Sequence, residues 1–97
     1  MAMALLSDQE IGEALQDLPG WEVVDDQITK QYRLSGFAGA ITFVVRLSYE
    51  AQAADHHPDL DIRYDIVRVT LSTHSEGGVT VKDLDLAQAI EAVVPGH

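Results

Sequence analysis

Apolar residues in this chain recur at helical spacing, then alternate, and the two modes trade places along its length. Ile11, Ala14, Leu15 and Leu18 keep the helical period of about 3.6. Trp21 and Val23 flank Glu22, and Ile28, Lys30, Tyr32 and Leu34 share one parity, as residues on one strand face do. The helical period returns over Phe37, Ala40, Ile41, Val44, Ser48 and Ala51, the predicted buried stripe of a long second helix. Leu60, Ile62 and Tyr64 alternate again, followed by Val67, Val69, Leu71 and Thr73. Leu84, Ala87, Ile90 and Val94 form a last helical stripe. The predicted order is αββαββα. Strand pairs joined by short turns imply antiparallel hairpins. Helices with one apolar stripe each must cover one sheet face. The expected fold is therefore a two-layer α+β domain, with a four-stranded antiparallel sheet and three helices packed on one face.

Local signals punctuate that order. Ser7-Asp8-Gln9-Glu10 has the S-x-x-E form of a helix-starting capping box. Pro19-Gly20 is predicted to end the first helix, Ser35-Gly36 to open the second, and Pro58 to end it, because the residue before proline avoids the α region. Asp25-Asp26 and Tyr64-Asp65 read as turns, and residues 75–78 as a loop. Thr80 is predicted to cap the last helix with Asp83 in its first turn, and Pro95-Gly96 to stop it.

The 97 residues are expected to form one domain, 1–97. A chain of this length buries a modest core, so oligomerisation would be a natural way to bury more surface. Acidic residues number 16 against 6 basic, a net charge of −10. That surface repels phosphate backbones and anionic lipids, which argues against nucleic-acid and membrane partners. The absence of cysteine excludes disulfides, thiolate catalysis and cysteine-ligated zinc. The opening MAMALL is too short for a secretory segment, and no apolar run reaches the roughly 20 residues needed to span a bilayer. A cytoplasmic location is the default expectation.

Three of the four histidines, His56, His57 and His74, bracket one predicted hairpin. Taken singly, each is more commonly a surface residue or a charge at a helix C-terminus. Together they place titratable groups at a helix end and a strand end, where sites collect. Histidine exchanges protons near neutral pH, so two imidazoles on opposite sides of a small molecule can run a dehydration. One protonates a leaving hydroxyl while the other removes a proton. Asp55, Asp59 and Asp83 are candidates to orient a ring. A metal centre is disfavoured, because neither H-x-x-x-H nor H-E-x-x-H is present and adjacent histidines rarely reach one ion. Ser72 or Thr73 beside His74 lacks the G-x-S-x-G context of a nucleophile, and Gly77-Gly78 alone is no phosphate loop. Trp21 fits either core packing or a flat wall for an aromatic ligand.

These residues resemble the signature of the pterin-4a-carbinolamine dehydratases. The likeness rests on D-H-H-P at 55–58, Tyr64, V-x-V-T-L-S-T-H at 67–74, G-G at 77–78 and D-x-x-L-A at 83–87. G-W at 20–21 and Phe43 with Arg46 extend it over nearly the whole chain. The resemblance implies a dimeric or tetrameric α+β protein that dehydrates 4a-hydroxytetrahydropterin to quinonoid dihydropterin. It implies no metal or organic cofactor, and a functional link to an aromatic amino acid hydroxylase whose pterin is recycled. Carried over, His56 and His74 are the acid–base pair, with His57 beside them in the catalytic set. His57 and Pro58 shape the pterin site, Thr73, Ser75 and Glu76 lie along the substrate, and Asp55, Asp83 and Trp21 belong to the site. Two positions depart from the family pattern: Gln52 stands where a glutamate is frequent, and Leu60 where an aromatic is frequent. Glutamine orients by hydrogen bonds but cannot ionise. The alternative within the same fold is a non-catalytic assembly factor or dimerisation cofactor.

Overall fold

A computed structural model describes residues 4–95. Three helices and four strands follow the predicted order: α1 (Asp8–Leu15), β1 (Glu22–Val24), β2 (Gln27–Arg33), α2 (Gly36–Ala54), β3 (Asp59–Arg63), β4 (Ile66–Leu71) and α3 (Val81–Ala92). A single 3-10 turn, His74–Glu76, stands between β4 and α3. The sheet is antiparallel throughout, in the order β1-β2-β4-β3. Among the described residues no helix is long and apolar enough to cross a membrane.

Both hairpins close in two residues. Val24 pairs with Gln27 and Arg63 with Ile66, leaving Asp25-Asp26 and Tyr64-Asp65 as the turns. Asp25 and Tyr64 take φ of 56° and 54°, the left-handed conformation that tight hairpins require and that aspartate tolerates better than tyrosine. Tyr64 is thus a turn residue, 70% exposed, and does not continue the alternation of Leu60 and Ile62.

The covered sheet face carries Ile28, Tyr32, Val67, Val69 and Leu71, all buried. Against it α2 sets Ala40, Phe43, Leu47 and Ala51, whereas Phe37 is 54% exposed and Ser48 lies outside the core. The predicted stripe is therefore rotated. Ala40 and Ala51 hold, but Phe43 and Leu47 replace Phe37, Ile41, Val44 and Ser48 as the buried residues. The cause is that α2 is apolar on more than one side, so spacing alone fits two stripes. On α3 the buried residues are Asp83, Leu86, Ala87 and Ile90, while Leu84 and Val94 pack at the margin.

The helix ends also differ in detail. Ser7 makes both hydrogen bonds of the capping box with Glu10, as predicted. However, α1 closes at Leu15, ahead of Pro19, through i→i−3 bonds from Asp17 to Ala14 and from Leu18 to Leu15. Similarly, α2 stops before Pro58. Asp55 turns left-handed at φ 49° and its amide bonds back to Ala51 and Gln52. His56 and His57 consequently lie just past the helix end. Pro95 follows α3, and Gly96 of the predicted stop lies outside the described residues.

Lys30 does not reach to solvent from the covered face. Its ammonium bonds both carboxylate oxygens of Glu91 at 2.9 and 3.0 Å and the Pro19 carbonyl at 2.8 Å, 4.7 Å from the centre of the Tyr32 ring. The Tyr32 hydroxyl donates to the same carboxylate. This cluster ties the end of α3 to β2. Burial, with Glu91 adding to it, pushes the Tyr32 phenol well above its ordinary value. A proton held more tightly in the folded state stabilises the fold fully below the unfolded value of about 10, and that contribution is lost as pH rises beyond it. Tyr32→Phe should therefore lower stability by about 1 kcal/mol at neutral pH. It should also flatten the alkaline loss of stability, read from urea midpoints at stepped pH.

Candidate active site

The β3–β4 register creates the site. Asp59 pairs with Thr70, so the segment entering β3 and the segment leaving β4 depart from the same end of the sheet. The first contains His56, His57 and Pro58, and the second Ser72, Thr73 and His74. Both border a cavity of about 440 Å³, within the roughly 300–1,000 Å³ of small-molecule pockets. All three histidines line it, with Asp55, Pro58, Thr73 and Ser75. His74 opens the 3-10 turn, which ends at Gly77 in the left-handed conformation, φ 75°.

Behind the cavity wall lies the Asp83 carboxylate, fully buried. One oxygen accepts from His56 Nε2 at 2.5 Å. The other accepts from the Thr73 hydroxyl at 2.8 Å and from the Thr80 amide at 2.9 Å. Thr73 and Thr80 Oγ1 are 2.7 Å apart. Because the Thr73 proton goes to Asp83, the Thr80 hydroxyl must donate to Thr73, and Thr80 Oγ1 in turn accepts from the Lys82 amide at 3.3 Å. The Thr80 cap predicted for α3 is a full capping box with Asp83, and it doubles as a bracket for a histidine. Three donors to one carboxylate compensate its removal from water. The carboxylate also assigns the His56 proton to Nε2 and leaves Nδ1 as the ring atom available for exchange.

His57 Nε2 is 3.2 Å from Gln52 Oε1, so the neutral amide orients this exposed ring without adding charge. Glu76 accepts from the Ser75 hydroxyl at 3.2 Å and does not border the cavity. Trp21 also lies apart from the cavity. It is 5% exposed, packs edge-on against Tyr32 at 6.4 Å between centroids, and keeps its Nε1 without a hydrogen-bond partner among the described residues. Its burial places it in the core cluster. One lining residue was not singled out from the sequence, Lys82. Among the described residues no three His, Asp and Glu side chains are grouped as a metal would need.

A family model for pterin 4 alpha carbinolamine dehydratase matches residues 4–93. A relative from Roseiflexus castenholzii, called "Putative pterin-4-alpha-carbinolamine dehydratase", is 50% identical over 91 residues, 94% of this chain and 98% of its own length. One of the same description from Chloroflexus aurantiacus is 46% identical over 92 residues, 95% of this chain and 99% of that protein. A crystal structure of a transcriptional coactivator/pterin dehydratase from Brucella melitensis superposes with a TM-score of 0.90 at 38% identity, covering 94% of this chain and 99% of the other. A pterin dehydratase-like RuBisCO assembly factor of the alpha-carboxysome shares the fold, with a TM-score of 0.63 at 15% identity over 79% of this chain and 89% of its own. With the family model matched from residue 4 to residue 93, the chain belongs to the pterin 4 alpha carbinolamine dehydratase family.

Proposed function

We propose that this protein dehydrates 4a-hydroxytetrahydropterin to quinonoid dihydropterin, using its histidines as acid and base. The carrying observation is the convergence of His56, His57 and His74 on one cavity, with the first braced by buried Asp83. One imidazolium of the His56/His74 pair gives its proton to the 4a-hydroxyl, and the C4a–O bond breaks to release water. The other imidazole takes the N5 proton as the N5 electrons form the C4a=N5 bond. His57, Pro58 and Thr73 to Ser75 bind the ring, and Asp83 fixes His56. Recycling of the pterin consumed by an aromatic amino acid hydroxylase is the corresponding role. The test is the ultraviolet decay of 4a-hydroxytetrahydropterin with purified protein. A rate well above the spontaneous one supports the proposal, and a rate equal to it rejects it.

Gln52 makes a second prediction. In Gln52→Glu a charged acceptor faces His57 and favours its protonated ring. Whichever limb of the pH–rate profile His57 controls should then move to higher pH. The shift should stay below about one unit, because the pair is exposed to solvent.

The same reading includes a homodimer or homotetramer. Its support is the outward side of α2, where Phe37, Val45 and Tyr49 are 54%, 47% and 71% exposed, and the edge strand β3, with Leu60 and Ile62 each 38% exposed. That α2 surface also favours a second reading, a scaffold that binds a protein partner without catalysis. Such a protein would form a stable complex in a pull-down while leaving the dehydration at its spontaneous rate.

A further inference from the structure

Lys82 occupies the second position of α3, in the first turn, where the helix dipole disfavours a cation. Among the described residues its ammonium makes no ion pair. Lys30 pairs with Glu91, Arg33 with Asp65 and Arg63 with Asp61, Arg68 bonds Gln31 and Thr29, and Arg46, also without an ion pair, is exposed on α2 rather than part-buried. A half-buried cation in a disfavoured place, on a chain of net charge −10, calls for a partner outside the chain.

Its position says what that partner offers. Lys82 borders the histidine cavity and also a groove of about 340 Å³ between α2 and α3, and His56 is the other residue common to both. Lys82 and the braced His56 therefore belong to one stretch of wall. Glu50 and Asp85 border the groove, without pairing with Lys82. An ammonium offers three donors and no acceptor, so it takes an oxygen. In a 4a-hydroxypterin the carbon that loses its hydroxyl is bonded to the C4 carbonyl, whose oxygen is the acceptor nearest the reacting bond.

We propose that Lys82 donates to the 4-carbonyl oxygen of the pterin and makes the site selective for 4-oxo over 4-amino pteridines. This rests on the dehydratase reading for its ligand class but not on turnover. Replacing the carbonyl by an amino group sets a donor against a donor, and the loss is that of one charge-assisted hydrogen bond.

The experiment is equilibrium binding of a 7,8-dihydropterin and of its 2,4-diamino counterpart to the full chain, followed by ligand fluorescence. The proteins compared are the wild type, Lys82→Met and Lys82→Arg. The wild type should prefer the 4-oxo ring by about tenfold or more. Lys82→Met should bring the two within about twofold, and Lys82→Arg should restore most of the preference. A merely structural lysine would change both affinities alike and leave their ratio intact. The proposal is overturned if Lys82→Met keeps the wild-type ratio, if the wild type shows no preference, or if neither ring binds. A preference without turnover would sink the dehydratase reading and leave this one standing. Turnover with an unchanged ratio would do the reverse.

Discussion

His56→Ala and His74→Ala are each expected to slow dehydration of 4a-hydroxytetrahydropterin by about 10²-fold or more, the usual contribution of one positioned acid or base. The geometry distinguishes the two positions. His56 is 9% exposed and tethered to Asp83, whereas His74 is exposed on a short turn. Removing His74 should therefore lower the rate without shifting the thermal transition appreciably. Removing His56 opens space beside a buried carboxylate and should lower both. The double variant should fall to the spontaneous rate, and it should not lose the product of the single effects if the rings act as one unit. A double variant that retains wild-type rate would remove both histidines from the mechanism.

Asp83→Ala carries the largest expected cost to stability. The carboxylate accepts from His56 Nε2, Thr73 Oγ1 and the Thr80 amide, and it is fully buried. Alanine leaves all three donors without an acceptor and removes the acidic half of the α3 capping box. At about 1–3 kcal/mol for each unsatisfied buried group, partly relieved by entering water, a net loss of about 3–4 kcal/mol is expected. Urea unfolding measures it. Asp83→Asn keeps the shape and can accept on one side only, so it should cost less stability. Because it no longer fixes the His56 proton on Nε2, it should still slow dehydration by about tenfold or more. A fully stable Asp83→Ala protein would contradict the hydrogen-bond account of the bracket.

Much of this was legible because it is local. The capping box of Ser7 with Glu10 and the Thr80 cap of α3 involve only residues two or three apart, and both form. The two turns sit between strands whose alternation defines the register. That register, together with Pro58 and the S-T-H run, was enough to bring the histidines to one end of the sheet. What escaped is non-local or ambiguous. Phe43 and Leu47 were missed as core because α2 offers apolar residues on two sides, and only the sheet and α3 choose between them. The joining of Tyr32 and Lys30 to Glu91 spans about sixty residues and leaves no periodic trace. Trp21 fitted two roles from the sequence, and in the structure it packs against Tyr32, apart from the histidine cavity. Lys82 belongs to no motif, and its interest comes entirely from which walls it shares with His56.

The central claim is that a single pterin sits against all three imidazoles of the sheet-end cavity. Side-chain NMR of the histidines, followed while a stable dihydropterin is titrated in, tests that directly. The account predicts that the ring signals of His56, His57 and His74 move together along one saturating curve. Saturation with those three signals unmoved, and the changes falling on another face of the protein, would contradict it.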